Sequence, residues 1–234
     1  MIPRKLKITI SRPLRTFIIT SAAAAVFAHA ALILLFAPAA FLLRWWTPPV
    51  NSLMVNRALF ASDKVRPIRQ VPLKALPGSV PKMFIYLEDH GFYTHGGMDF
   101  EAMKTAYRRN RKAGRLAYGG STITQQLART LFLSTDKNYL RKYLEVVLSV
   151  EMDLILPKDR IMELYLNHIE WGRGIFGIGR AAEAYYKTGA GKLSRDQFRR
   201  LAAVIPSPRL YSVRNLERHL GLRQRYMFLV QTFS

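Results

Sequence analysis

Cysteine is absent from this 234-residue chain. That excludes structural disulfides, thiolate catalysis and Cys-based zinc sites. Acidic residues are scarce, with 15 Asp and Glu against 36 Lys and Arg, for a net charge of +21. An excess of this size attracts polyanions: nucleic acid, anionic lipid headgroups or pyrophosphates. No internal repeat, low-complexity tract or alternating strand pattern is visible. Beyond an N-terminal apolar segment, roughly 190 residues remain, which fits one domain. Half of all residues are hydrophobic, enough for a sizeable core.

Charge is also missing locally. From Thr16 to Leu43 there is no Asp, Glu, Lys or Arg. A bilayer core is crossed by about 20 apolar residues. The first 43 residues hold Arg4, Lys5, Lys7, Arg12 and Arg15 and no acid. All five precede the apolar run, which places the N-terminus in the cytosol and the body outside. Trp45 and Trp46 follow at the outer boundary, where indole rings settle. Pro38 is compatible with a membrane helix. The rival is a cleaved signal peptide at Ala28-His29-Ala30, but the run continues as ALILLFAPAAFLL where a signal should turn polar. The predicted organisation is a basic tail over 1–15, a membrane-spanning helix over 16–43, a connector over 44–78 and a domain over 79–234.

The connector is rich in proline, with one short helix around Val50–Phe60. Ser79 offers an N-cap for a helix running to about Asp89, which leaves Glu88 near its end. Phe100 to Tyr118 carries the basic run Arg108, Arg109, Arg111, Lys112 and Arg115, either a solvated face or a contact for headgroups or phosphates. With Asp136 as N-cap, residues 137–156 read as a helix whose stripe is Leu140, Leu144, Val147, Glu151 and Leu154. After Pro157 a second helix has Ile161, Leu164, Tyr165, His168 and Ile169 on one stripe and Glu163, Asn167 and Glu170 on the other. The glycines of WGRGIFGIG end it. AAEAYYK and SRDQFRRLAAVI, the latter capped by Ser194, give two more helices. The fold class is mostly α.

Two segments concentrate polar chemistry. EDHGFYTHGGMD, Glu88 to Asp99, offers adjacent carboxylates, an aromatic and a histidine. GGSTITQQL, Gly119 to Leu127, offers glycines, hydroxyls and two side-chain amides running into an apolar helical pattern. The set suits a sugar with a charged leaving group and is poor material for a metal cage or a base-reading surface. Taken singly, each residue has a plainer reading. Glu88 and Glu145 are ordinary surface glutamates, His95 bonds its own loop, Gln125 and Gln126 are solvated, and Asn167 bonds between helices. Ser79-x-x-Lys82 and Lys187-Thr188-Gly189 match transpeptidase fragments, but no Ser-x-Asn lies between them and both read as chance.

In combination the segments resemble the peptidoglycan glycosyltransferases, specifically the monofunctional biosynthetic form. ED-x-x-F-x-x-H-x-G-x-D is met by Glu88, Asp89, Phe92, His95, Gly97 and Asp99. G-x-S-T-x-x-Q-Q-L is met by Gly119, Ser121, Thr122, Gln125, Gln126 and Leu127. R-K-x-x-E is met by Arg141, Lys142 and Glu145, and K-x-x-I-x-E-x-Y-x-N by Lys158, Ile161, Glu163, Tyr165 and Asn167. A closing segment is met by Gly174, Gly177, Ala181 and Tyr185-Tyr186. Three departures stand out: Arg129-Thr130 where Lys-Asn is usual, Tyr185-Tyr186 for Tyr-Phe, and His90-Gly91 for a basic pair.

The resemblance implies a lysozyme-like helical domain that polymerises lipid II into linear glycan with release of undecaprenyl pyrophosphate. It implies Glu88 as general base, its pKa raised by burial, and Glu145 as the second catalytic glutamate. It also implies substrate contacts from Asp89, Phe92, His95, Ser121, Thr122, Gln125, Gln126, Arg129, Arg141, Lys142 and Asn167. A divalent cation, Mg2+ or Mn2+, would ride on the pyrophosphate; no protein-held metal and no organic cofactor is implied. Expected partners are lipid II, the growing chain, the bacterial inner membrane and other wall-synthesis or division proteins, not nucleic acid. The alternatives are a lytic transglycosylase or muramidase and an inactive membrane scaffold of wall synthesis.

Overall fold

The computed structural model describes residues 11–115, 119–136 and 138–233. Arg4, Lys5 and Lys7, which set the expected orientation, lie outside these residues, as do Tyr118 and Lys137. The chain divides into two units between Ala39 and Ala40. The first is formed by most of α1 (Arg12–Leu42), a 31-residue helix whose most apolar window has a mean hydropathy of 2.2. At about 1.5 Å per residue it exceeds the hydrocarbon thickness of a bilayer. Its hydroxyls bond internally, Thr16 Oγ1 to the Arg12 carbonyl at 3.1 Å and Thr20 Oγ1 to that of Thr16 at 3.0 Å. Inward bonding of this kind suits an apolar environment.

The second unit is helical. In chain order it holds α2 (Ser52–Phe60), α3 (Ser79–Glu88), α4 (Phe100–Ala113), α5 (Ile123–Phe132), α6 (Tyr139–Ile155) and α7 (Lys158–His168). A small antiparallel hairpin follows, β1 (Glu170–Gly172) and β2 (Ile175–Phe176). Then come α8 (Ile178–Tyr186), α9 (Arg195–Val204) and α10 (Leu220–Thr232). The mostly α reading holds. The hairpin and α10 were not expected: WGRGIFGIG reads only as a glycine stop, and the apolar residues of α10 do not line up on one stripe.

α5 is the central element, packed on α2, α6 and α7. Ile123, Leu127 and Ala128 are fully buried there. Phe84 from α3 meets Trp171 edge-on at 5.6 Å and Tyr165 at 6.2 Å between ring centroids. Buried aromatic pairs in this geometry contribute about 0.5–1.5 kcal/mol beyond their burial. Residues 43–47 and the connector are tied into this unit. Arg160 Nε donates to the Leu43 carbonyl at 2.7 Å, and Asn167 bonds both the N–H and the C=O of Val71 at 2.8 Å.

Two local expectations change. α6 is capped by Asn138, which accepts from Arg141 N at 2.7 Å, not by Asp136. Its buried face carries Glu145, Leu148, Ser149, Glu151 and Met152, while Leu140 and Leu154 are 68% and 82% exposed. The helix is thus turned from the stripe read by hydrophobicity: Leu148 and Met152 fill the core, and Glu145 is buried beside them with its charge met by two cations. α3 begins at Ser79 with Gly78 in the cap position, so Ser79 is a first-turn residue.

Candidate active site

Glu88 is the last residue of α3, and its side chain is 13% exposed. Gln126 Nε2, on α5, donates to Glu88 Oε2 at 3.2 Å. Tyr165 Oη lies 3.2 Å from Gln126 Oε1. A hydroxyl donating to that oxygen orients the amide so that its NH2 faces Glu88. Burial pushes the Tyr165 phenol well above its ordinary range, so it remains a neutral donor. Arg225, from α10, forms an ion pair with Glu88 from the opposite end of the sequence. Glu88 and Arg225 line a cavity of about 690 Å³, with His90, Asp99, Arg109 and Ser121 on its wall.

Asp89, beside Glu88, is turned inward and does different work. Its carboxylate accepts from Ile123 N at 2.9 Å and meets His95 Nε2 at 2.9 Å. It therefore joins the end of α3 to the first turn of α5, where unpaired N–H groups and the helix dipole favour an anion. Thr122 and Gln125 form a capping box on the same helix, and Thr122 Oγ1 also donates to the Gly97 carbonyl at 2.7 Å. Gly97 has φ +83°, and a Cβ there would come within 2.4 Å of the Ser149 carbonyl oxygen. Backbone approaches α6 so closely here that only glycine fits.

The R-K-x-x-E residues form a compact charge cluster. Glu145 is 1% exposed, and Arg141 and Lys142 occupy its two oxygens, Lys142 Nζ at 2.5 Å. Lys142 also reaches Ser121 Oγ at 3.1 Å and Gln125 Oε1 at 3.4 Å. One turn of α5 further on, Gln126 and Arg129 line a second cavity of about 290 Å³ together with Arg57, Thr130, Arg141 and Glu170. Gln126 thus spans the two spaces, bonding Glu88 and lining the cationic cavity. Behind that cavity Arg209 pairs with both Asp63 and Glu170, the latter at 3.0 Å, and Arg57 reaches Glu170 at 3.1 Å. Burial pushes the Glu170 carboxyl above its ordinary value, and the two arginines offset only part of that.

The motif residues therefore separate into two groups. Glu88, Ser121, Gln126, Arg129 and Arg141 line the cavities or face them. Phe92 and Asn167 do not fit as direct substrate contacts. Phe92 is fully buried under Lys158, whose Nζ lies 4.8 Å from the ring centroid, and Asn167 is fully buried against Val71. Asp89 and Thr122 also border the larger cavity, yet with Gln125 and His95 their side chains are engaged within the fold. Sequence reasoning missed Arg225, Arg57 and Glu170, which belong to no short motif and meet the site only through tertiary packing.

A family model described as Transglycosylase matches residues 56–231. A protein of Herminiimonas arsenicoxydans named biosynthetic peptidoglycan transglycosylase is 41% identical over 187 residues, 76% of this chain and 80% of its own length. One of the same name from Thiobacillus denitrificans is 43% identical over 173 residues, 73% of this chain and 72% of its own. With the match spanning most of the second unit and every motif in order, the chain belongs to the transglycosylase family, alongside these biosynthetic peptidoglycan transglycosylases.

Proposed function

We propose that the chain polymerises lipid II, with Glu88 as general base. The observation that carries this reading is the bridge formed by Gln126 between a carboxylate at one cavity and a cationic wall at the other. The acceptor sugar's 4-hydroxyl gives its proton to Glu88, and its oxygen attacks the anomeric carbon of the donor chain. The bond from that carbon to the pyrophosphate breaks, with inversion, and undecaprenyl pyrophosphate leaves with the electron pair. The leaving group needs its charge neutralised rather than a proton, and Arg129 and Arg141 are placed for that. Arg225 and Gln126 both approach Glu88 as donors, the arrangement of a proton acceptor and not of the general acid that glycan cleavage requires.

Glu145 acts through its partners in this scheme. Its carboxylate is 1% exposed and, unlike that of Glu88, borders neither cavity, so it holds Arg141 and Lys142 in place as a positioning residue. Among the described residues no group of three His, Cys, Asp or Glu side chains could hold a metal ion. We assign any divalent cation, Mg2+ or Mn2+, to the substrate pyrophosphate, and no step above passes through it. α1 is consistent with an inner-membrane protein. We place its N-terminus in the cytosol and the second unit outside.

The test is a gel assay of lipid II polymerisation with and without penicillin, beside incubation with purified glycan. Glycan made from lipid II under both conditions supports the reading. Cleavage of glycan without polymerisation overturns it, and inactivity on both substrates would point to a scaffold.

A further inference from the structure

A separate cavity of about 400 Å³ contains none of the residues assigned to catalysis or substrate binding. It is lined by Lys64, Arg66, Arg173, Arg180, Glu183 and Lys187. Its one carboxylate is already engaged: Arg180 lies 3.0 Å from Glu183 and Arg69 3.9 Å. Lys64, Arg173 and Lys187 meet no carboxylate within ion-pair distance among the described residues.

Three elements converge to make this excess. The connector brings Lys64 and Arg66, the hairpin turn brings Arg173, and α8 with its cap brings Arg180 and Lys187. Both border the cavity, Arg180 from the first turn of α8 and Lys187 from the left-handed cap that ends it. Gly174 has φ +69°, and a Cβ there would lie 2.7 Å from the Lys64 carbonyl oxygen, so the hairpin turn is pressed onto the connector. Arg180 Nε is fixed on the Pro67 carbonyl at 3.0 Å. Like charges gathered in a concavity repel one another, and the compact state bears that cost unless an external anion supplies the counter-charge.

The position identifies the anion. Glu170, on the same hairpin as Arg173, lines the cationic cavity assigned above to the pyrophosphate. Asp63, next to Lys64, pairs with the Arg209 that also holds Glu170. The basic cavity therefore adjoins the donor side. A donor chain with its pyrophosphate at Arg129 and Arg141 carries its remaining negative charge as carboxylates on its peptide stems. A guanidinium fork matches a carboxylate. We propose that this cavity binds the peptide-stem carboxylates of the donor glycan. The proposal rests on the polymerase reading.

Calorimetric titration of the full-length protein in detergent with a soluble disaccharide-peptide tests it, using free and amidated carboxylates. The charged ligand should bind, the amidated one about tenfold more weakly, and salt should weaken the charged complex. Arg173→Ala with Lys187→Ala should weaken it about tenfold at an unchanged melting temperature. In polymerisation the double variant should raise KM for the donor and keep kcat. Equal binding of both ligands, an unaffected double variant, or a response only to vesicles of anionic phospholipid overturns the site. Failure of the wild type to polymerise lipid II would remove the polymerase reading while the titration still reports on the site. Normal polymerisation without peptide binding removes the site alone.

Discussion

Glu88 shows how a single side chain is prepared by distant ones. The chain from Tyr165 through Gln126 to Glu88, closed by Arg225, draws on α7, α5, α3 and α10. Glu88→Gln should lose about 10²–10⁴-fold in polymerisation rate at an unchanged melting temperature, since loss of a general base costs that much. Near-normal turnover of the folded variant would exclude the role. Glu145→Gln should behave differently. It strips a buried partner from two cations, so thermal stability should fall and donor KM should rise; a fall in kcat alone would make it a direct participant. His168 gives a pH signature. Burial, with Arg160 nearby, lowers its pKa to about 3, against 6.5 when exposed. Between those values the unfolded chain binds the proton and the folded chain does not, so stability is full above about pH 6.5 and falls as pH drops toward 3. The slope is at most about 1.4 kcal/mol per pH unit. Melting temperatures recorded from pH 7 to 4 should fall, and His168→Asn should flatten the fall.

Among the elements, α5 matters most, because its first turn receives Asp89, Thr122 and Gln125 while its next turn presents Gln126 and Arg129. Thr122→Ala removes an N-cap worth about 1 kcal/mol and also its bond to Gly97. Gly97→Ala should cost more, about 1–3 kcal/mol for the backbone conformation alone, with the approach to Ser149 added. Chemical denaturation of both variants checks the order. If Gly97→Ala proved the milder, the close contact with α6 would not be rigid. α4 is closed at both ends by its own residues: Asp99 accepts from Ala102 N at 2.8 Å and Gly114 ends the helix with φ +63°.

At the scale of the whole molecule, the boundary between units at Ala39 and Ala40 falls inside the apolar helix. Ala40 and Leu43 are buried, and the Leu43 carbonyl is held by Arg160. Deleting residues 1–39 should therefore leave the melting temperature of the remainder unchanged, while deleting 1–46 should lower it by several degrees, for a loss of about 1–2 kcal/mol. Activity of the shorter deletion should suffer more on membrane-embedded lipid II than on a short-chain soluble analogue, because confinement to one surface raises effective concentration. Equal loss on both would assign the helix to folding and not to substrate encounter.

Sequence by itself determined the apolar helix, the mostly α class, the cap of α9 at Ser194, the place of Glu88 near the end of α3 and the family. These follow from local rules: charge-free length, proline and glycine punctuation, capping chemistry and fixed motif spacing. It could not separate motif residues that line the cavities from those, such as Phe92 and Asn167, that lock the fold, since both kinds recur at the same spacing. Tertiary structure decided that separation, because burial depends on neighbours far along the chain. It also turned α6 so that Glu145 rather than Leu140 and Leu154 faces inward. Leu148 and Met152 supply the apolar face there, and two cations meet the charge of the carboxylate buried beside them. Finally, it brought Arg225 to Glu88 across 137 residues. No local pattern encodes that contact, because it forms only when α10 packs back onto α9 and α9 onto α3.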